Sequence, residues 1–202
     1  RRRKEEADFF MKGAENVNNS NIEGVNTDGI ALIGDSQMKA GIGNALKRLF
    51  PGAKSEAKTG KQPSAFKNDT KTINAISGAK KIILTLGGNG AGGTTDLINT
   101  IKKNAPNAKV IWIGAPPAVT ATDAGQVKAK FGKDLTSFNA GLNARRKKRA
   151  NNNTLIGRAV RAAGFTFINP TDFHNFRPSK DGIHVDKDGV PFINKVKSQL
   201  LA

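Results

Sequence analysis

The sequence contains no cysteine and no long hydrophobic run. Without cysteine, the chain forms no disulfide, no cysteine-ligated metal site and no thiol nucleophile. No apolar run approaches the roughly 20 residues that a bilayer-spanning helix needs, and no secretory signal pattern is present. The first residue is Arg1 rather than Met, so we expect a processed chain or a piece of a larger one. The length of 202 residues is typical of a single domain.

Acidic residues are scarce relative to basic ones. Lys and Arg together number 33 and Asp and Glu 16, which gives a formal net charge of +17. This balance favours contact with nucleic acid, anionic lipid or an acidic polymer. Proteins that bind single-stranded nucleic acid usually have aromatic residues among their basic ones, and the basic runs here have none. One basic run at the end of a predicted helix is a candidate anion-binding surface: Arg145, Arg146, Lys147, Lys148 and Arg149. The alternative interpretation is solvated surface charge.

Strand and helix patterns alternate along most of the chain. Residues 1–28 are charged and rich in Asn, which predicts a leader or linker, and residues 29–202 form the predicted domain. Short apolar runs predict strands at residues 29–34, 53–60, 80–88, 108–117 and 165–170. Apolar residues at helical spacing predict helices at residues 39–50, 94–104, 125–149, 155–164 and 190–202. Because nearly continuous apolar strands that alternate with helices are typical of parallel sheets, we expect a sheet covered on both faces.

Polar or glycine-rich segments follow four of the predicted strands. They are Gly34-Asp35-Ser36, Gly60, the glycine-rich stretch from Gly87 to Gly90, and the loop from Asp181 to His184. Ligands bind at the carboxyl ends of parallel strands, so we expect these four segments to meet at one edge of the sheet. Taken alone, Asp35-Ser36 is better explained as a helix N-cap, because Asp and Ser are common capping residues.

The four segments together contain the groups for nucleophilic catalysis by serine. A serine hydroxyl needs a base within hydrogen-bonding reach and a third group that orients the base. The chain has only two histidines, His174 and His184, and Asp181 precedes His184 by three residues. An oxyanion also needs donors, which the Asn89 side chain and the backbone N–H groups at positions 36 and 60 could supply.

These segments resemble the four sequence blocks of the SGNH (GDSL-type) hydrolases, and they occur in that family's order. The matching positions are the GDS at Ser36, the glycine at Gly60, the G-x-N at Asn89 and the D-x-x-H from Asp181 to His184. The resemblance implies a flavodoxin-like three-layer α/β/α sandwich with five parallel strands in the order 2-1-3-4-5. It also implies a catalytic triad of Ser36, His184 and Asp181, and an oxyanion hole formed by Ser36, Gly60 and Asn89. The third block departs from the family's usual G-x-N-D because Gly90 stands in place of the Asp.

Other motifs have structural interpretations that suit them better. Gly88, Gly90 and Gly93 spell G-x-G-x-x-G, but the next predicted strand is not followed by the acidic residue that a dinucleotide site needs. His174 suits a structural or surface role. Turn and capping roles, rather than metal binding, are expected for three aspartates: Asp172, Asp186 and Asp188.

The sequence therefore predicts a serine esterase or acyl hydrolase that needs no metal or cofactor. The basic surface and the lack of a long apolar lid favour a short acyl group on an acidic or cell-wall polysaccharide as the substrate. The alternative is a basic structural or binding module of a larger assembly, such as a phage particle, with the same fold and little or no hydrolysis. Both interpretations suggest an extracytoplasmic or virion-associated protein.

Overall fold

Five parallel strands form the centre of the molecule. The computed structural model describes residues 28–170, 179–185 and 189–202, so that all of the predicted leader except Asp28 lies outside the described residues. The strands are β1 (Ile30–Gly34), β2 (Lys54–Ala57), β3 (Lys81–Thr85), β4 (Lys109–Ile113) and β5 (Thr166–Ile168). Each of them lies within one of the five ranges predicted from apolar runs. Their order, β2-β1-β3-β4-β5 with every pairing parallel, confirms the predicted topology.

The register of the sheet brings three strand ends to the same level. Gly34 at the end of β1 lies opposite Thr85 of β3, and Thr85 lies opposite Ile113 of β4. The loops that follow β1, β3 and β4 therefore leave one edge of the sheet side by side, where open parallel sheets bind their ligands.

Helices cover both faces of this sheet. They are α1 (Ser36–Lys39), α2 (Gly41–Leu49), α3 (Thr70–Ile76), α4 (Thr94–Asn104), α5 (Ala124–Phe131), α6 (Leu135–Ala140), α7 (Leu142–Ala162) and α8 (Val190–Leu201). The predicted helices at 39–50, 94–104 and 190–202 are confirmed as α2, α4 and α8, whereas α3 was not predicted. Within the described part of the chain, no helix has both the length and the apolar composition that crossing a bilayer requires.

The single helix predicted at 125–149 is wrong. Gly132 adopts a left-handed conformation with φ of +66° and ends α5, as glycine commonly does at a helix C-terminus. Asp134 then caps α6 through a 2.8 Å bond from the Ser137 N–H, and α7 begins after Gly141. The helix predicted at 155–164 is the second half of α7. As a result, the basic run at 145–149 lies in the first half of a helix and not at its end.

Alternate residues of each strand point to opposite faces of the sheet, which gives two hydrophobic cores. On one face, Leu32 of β1 and Ile83 of β3 pack with Leu46 of α2 and Val196 of α8. On the other face, the core is formed by residues of the same strands together with α3, α4 and α7, and its buried members include Ile33, Leu84, Trp112, Ile76, Leu97 and Ile156. Helices thus pack on both faces of the sheet, and this three-layer α/β/α arrangement agrees with the prediction.

Candidate active site

Ser36 is the first residue of α1 and follows a tight turn at the end of β1. The turn is close to β3, because a Cβ atom at Gly34 would lie 2.2 Å from the Thr85 hydroxyl oxygen. The N-cap of α1 is Asp35, whose carboxylate accepts the Gln37 N–H at 2.9 Å. The capping role expected for Asp35-Ser36 therefore belongs to Asp35, and the half-buried side chain of Ser36 is left for another role.

A cleft of about 770 Å³ opens at the carboxyl edge of the sheet. Its lining includes Ser36, Gly60, Asn89 and His184, one residue from each of the four sequence blocks. Gly60 adopts a positive φ of +72°, a conformation that L-residues with side chains rarely adopt. The structure thus brings together at one site four positions that are far apart in the sequence.

Asp181 lies beneath the cleft and is fully buried. Its Oδ2 atom is 2.8 Å from Nδ1 of His184 and 2.6 Å from Nζ of Lys130. Its Oδ1 atom accepts the backbone N–H groups of Ile183 and His184 at 2.9 and 3.0 Å. Burial by itself would raise the pKa of Asp181, but the hydrogen bonds from His184 and Lys130 outweigh burial and hold this pKa well below its usual range. The carboxylate is therefore ionised at neutral pH and fixes the direction of the imidazole ring.

Asp35 is a second buried carboxylate beside the cleft, with only 1% of its surface exposed. Its Oδ2 atom accepts a 3.1 Å hydrogen bond from Nδ2 of Asn89, which also donates to the Lys61 carbonyl at 3.3 Å. Both partners of the Asn89 amide are acceptors, so the NH₂ end of that amide must face them. Burial raises the pKa of Asp35 to about 6, although the Gln37 N–H and the charge of Arg149 partly oppose this rise.

Arg149 departs from the predicted basic surface, because it is buried and lines the cleft. Its Nη1 atom donates to the Pro116 carbonyl at 2.7 Å and to the Ile183 carbonyl at 3.0 Å. No carboxylate of the described residues lies within ion-pairing distance of it, but the charges of Asp35 and Asp181 both favour its charged form. Arg149 is thus part of the cleft wall and not part of an exposed patch.

The other four basic residues of the run are divided between two environments. Arg145 is half-buried, lies 3.9 Å from the Phe138 ring centre and donates to the Phe138 carbonyl. Arg146 is exposed, although its Nε donates to the Ala118 carbonyl at 2.8 Å. Lys147 and Lys148 are exposed. The anion-binding role of this run stays a prediction.

The remaining sequence predictions concern His174 and possible metal ligands. His174 lies outside the described residues, as do the three aspartates at 172, 186 and 188. Across the described ranges, Asp, Glu and His side chains form no group of three that could hold a metal ion.

The sequence patterns did not predict that Gln37 and Lys130 belong to the site, nor that Arg149 is buried in its wall. Gln37 directly follows Ser36, and this position next to the proposed nucleophile was the one feature of the sequence that could have pointed to it. Lys130 and Arg149 reach the site from α5 and α7, whose boundaries had been predicted wrongly.

Comparison with known proteins gives a structural match but no sequence match. No protein-family model matches this chain, and no curated protein sequence matches it. The periplasmic domain of a lipopolysaccharide acetyltransferase from Salmonella ser. Paratyphi A has a similar structure, with a TM-score of 0.56, 20% identity and coverage of 86% of this chain and 83% of that one. A carbohydrate acetylesterase from Sinorhizobium meliloti has a TM-score of 0.55 and 15% identity, over 84% of this chain and 98% of that one. A lipase/acylhydrolase from Enterococcus faecalis has a TM-score of 0.51 and 15% identity, over 85% of this chain and 96% of that one.

At these identities the similarity concerns the fold. The sheet order and the positions of the four sequence blocks at the sheet edge agree with it. The chain therefore has the fold of the SGNH (GDSL-type) hydrolases.

Proposed function

We propose that the chain is a serine esterase that removes short acyl groups, with Ser36 as nucleophile, His184 as base and Asp181 as the residue that orients the base. The observation that carries this proposal is the 2.8 Å contact between buried Asp181 and His184 in the cleft that Ser36 also lines. A serine, a histidine and a buried carboxylate in these relations are the parts that acyl transfer through serine requires.

In the proposed reaction, the Ser36 hydroxyl oxygen attacks the ester carbonyl carbon and its proton passes to Nε2 of His184. The developing oxyanion accepts hydrogen bonds from the N–H groups of Ser36 and Gly60 and from Nδ2 of Asn89. The tetrahedral intermediate then expels the alcohol, which takes the proton from His184. Water, deprotonated by the same imidazole, attacks the acyl-enzyme. The second tetrahedral intermediate then releases the acid and the Ser36 oxygen, which takes the proton back from His184.

The Asn89 amide is already directed by its neighbours before a substrate binds. Its 3.1 Å bond to Asp35 is partly buried, whereas its 3.3 Å bond to the Lys61 carbonyl is longer and exposed. The oxyanion would replace the Lys61 carbonyl, and the bond to Asp35 would keep the NH₂ group oriented.

The side chains that line the cleft support one class of substrate. Polar and charged side chains form much of its lining, including Lys39, Asn44, Gln126 and Lys180. Such walls suit a short acyl group on a polar carrier better than a long alkyl chain. Together with the net charge of +17, they support O-deacetylation of an acidic or cell-wall glycan. The names of two proteins with a similar structure, a carbohydrate acetylesterase and a lipopolysaccharide acetyltransferase domain, fit the same choice.

Fluorophosphonate labelling and aryl ester hydrolysis test the proposal directly. The wild-type chain should be labelled at Ser36 and should hydrolyse aryl acetates faster than long-chain esters. Ser36→Ala should abolish labelling and lower kcat by about 10⁶-fold, as loss of a serine nucleophile does elsewhere. Ser198→Ala, which changes an exposed serine of α8, is the control and should retain full activity. Wild-type activity in Ser36→Ala would show that the nucleophile is assigned wrongly.

The choice of base has its own test. His184→Ala should be nearly as damaging as Ser36→Ala, because His184 has a buried carboxylate partner, Asp181. His174→Ala should have a mild effect. The reverse ranking would assign the base to His174.

A basic binding module without hydrolysis is the second candidate. It is favoured by Gly90, which replaces the usual Asp of the third block, and by the net charge of +17. An unlabelled Ser36 in a folded chain that still binds polyanions would support this candidate over the esterase.

A further inference from the structure

The loop that carries His184 is held by side chains from two other parts of the fold. Gln37, which is 3% exposed, donates from Nε2 to the Ile183 carbonyl at 3.0 Å. Its Oε1 accepts the Val185 N–H at 3.4 Å. One amide thus bonds to the backbone on both sides of His184, as a neighbouring strand would.

The orientation of the Gln37 amide is unambiguous. The Ile183 carbonyl can only accept a hydrogen bond and the Val185 N–H can only donate one, so the two ends of the amide cannot be exchanged. Because Gln37 directly follows Ser36 in α1, its side chain is a short physical link between the proposed nucleophile and the proposed base.

Arg149 bonds to the same carbonyl. It is 7% exposed, and its Nη1 donates to the Ile183 carbonyl at 3.0 Å and to the Pro116 carbonyl, beyond the end of β4, at 2.7 Å. A carbonyl oxygen can accept two hydrogen bonds, and here one donor comes from α1 and the other from α7. The Ile183 carbonyl is therefore fixed relative to both the serine turn and the sheet.

The loop's own hydrogen bonds do not supply this connection. Ser179 donates its N–H to the His184 carbonyl at 2.8 Å, and Asp181 accepts the His184 N–H. These bonds shape the loop internally but do not set its distance from Ser36. Loop contacts with residues 119–123, such as the 2.9 Å bond from the Val119 N–H to the Gly182 carbonyl, hold its other side.

We propose that Gln37 and Arg149 are positioning residues that place the His184 imidazole relative to Ser36 through their shared bonds to the Ile183 carbonyl. This inference rests on the proposed esterase function. A misplacement of about 1 Å costs on the order of 10²-fold in rate, so loss of either side chain should lower kcat more than it changes substrate binding.

The test uses Gln37→Met, which keeps the length of the side chain and removes both hydrogen bonds. On an aryl acetate, kcat should fall by roughly 10- to 100-fold, with KM within about twofold. Hydrogen–deuterium exchange of peptides that contain residues 179–185 should become faster, on the order of tenfold, because their tether is lost. Arg149→Lys, which keeps a cation and a donor, should retain more activity than Arg149→Met. The effects of Gln37→Met and Arg149→Met should not be additive, since both variants remove a donor to one oxygen atom.

Asn153→Leu is the matched control. Asn153 is also a buried amide with two backbone bonds. Its Oδ1 accepts the Ala115 N–H at 2.8 Å, and its Nδ2 donates to the Ala115 carbonyl at 2.9 Å. It bonds to no residue of the loop in the described structure, so its loss should lower the melting temperature and leave kcat per folded molecule and loop exchange unchanged.

Two outcomes would overturn the inference: full kcat per folded molecule in Gln37→Met, or exchange of residues 179–185 at the wild-type rate. If the wild-type chain neither hydrolyses esters nor labels at Ser36, the esterase proposal fails instead. Loop exchange then decides by itself whether Gln37 and Arg149 tether the His184 loop.

Discussion

Asp35→Asn should change how the stability of the protein depends on pH. Asp35 is 1% exposed and burial raises its pKa to about 6, against an ordinary value of 3.8. Between these two pH values the native state holds a proton that the unfolded chain has lost. The stabilisation that this proton gives the native state is therefore fully present below pH 3.8 and is lost as the pH rises through about 6.

The size of the effect follows from the two pKa values. A separation of about two pH units corresponds to about 3 kcal/mol between the acid and neutral limits. Asn cannot ionise, so the variant lacks this term. Other consequences of the substitution, such as a changed bond to Asn89, are largely independent of pH and cancel when the shape of the curve is compared.

Urea denaturation at intervals from pH 4 to pH 8 measures the quantity required. The free energy of unfolding of wild type minus that of Asp35→Asn should fall by about 2.5 kcal/mol across this range, because part of the total is already lost at pH 4, and should level off above pH 7. Parallel curves for the two proteins would refute the claim that burial raises the pKa of Asp35 in the native state.

Asp134→Asn provides the matched control, because Asp134 is also a helix N-cap but is fully exposed. Hydrogen bonds from Ser137 lower the pKa of Asp134, so its contribution to stability is present above the ordinary pKa and is lost as the pH falls. Because this loss lies near and below the ordinary pKa of 3.8, the difference curve of this variant should be nearly flat from pH 5 to pH 8 and should fall only as the pH approaches 4. Comparison of the two N-cap aspartates therefore separates the effect of burial, which raises the pKa of Asp35, from that of hydrogen bonding, which lowers the pKa of Asp134.

Three further predictions concern the rest of the site and the surface. Asn89→Ala should lower kcat on aryl acetates by about 10²–10³-fold if its amide binds the oxyanion, and unchanged kcat per folded molecule would contradict this role. Gly90→Asp restores the usual family residue, but Gly90 has a φ of +153° and a Cβ there would lie 2.5 Å from Oε1 of Gln62. We therefore expect a lower melting temperature from backbone strain of about 1–3 kcal/mol, and not the gain in activity that the sequence pattern suggests; an unchanged melting temperature would argue against strain. Changing Lys147 and Lys148 to Gln should flatten the salt dependence of DNA affinity by about 0.9 for each phosphate that the variant no longer neutralises, and an unchanged slope would mean that these side chains are solvated charge.

The strands were predictable because their apolar runs are short and sharply bounded. β1, β3 and β4 each differ from the predicted range by a few terminal residues, since Gly or Pro follows each run. β2 gave a weak pattern because it is an edge strand whose first residues, Lys54 and Ser55, are exposed. Its place next to β1 came from the family resemblance and not from hydrophobicity.

The helices between β4 and β5 were less predictable, because their apolar spacing continues across two interruptions. Val127 and Phe138 are both buried in one small core, so the periodicity resembles that of one continuous helix. The first interruption depends on Gly132 and the cap Asp134, and the second lies at Gly141; all three residues were available in the sequence. The apolar pattern outweighed these stop and start signals.

The positions that meet in the cleft were predicted from a simple rule, whereas their supporting contacts were not. Ser36, Asn89 and His184 follow from the ends of parallel strands. Gln37 and Arg149 contact the Ile183 carbonyl only because three separate segments converge there, and no local pattern records such a convergence.

Arg149 shows why the basic run cannot be interpreted as one surface. Removing a guanidinium from water is costly, and here two carbonyl bonds and the nearby charges of Asp35 and Asp181 offset that cost. An Arg149 substitution therefore removes a donor from the Pro116 and Ile183 carbonyls, whereas substitutions at Lys147 and Lys148 change exposed charge alone. Replacing the entire run with Gln would combine weaker polyanion binding with damage to the His184 loop. Only variants restricted to the exposed residues can measure what the net positive charge contributes to binding.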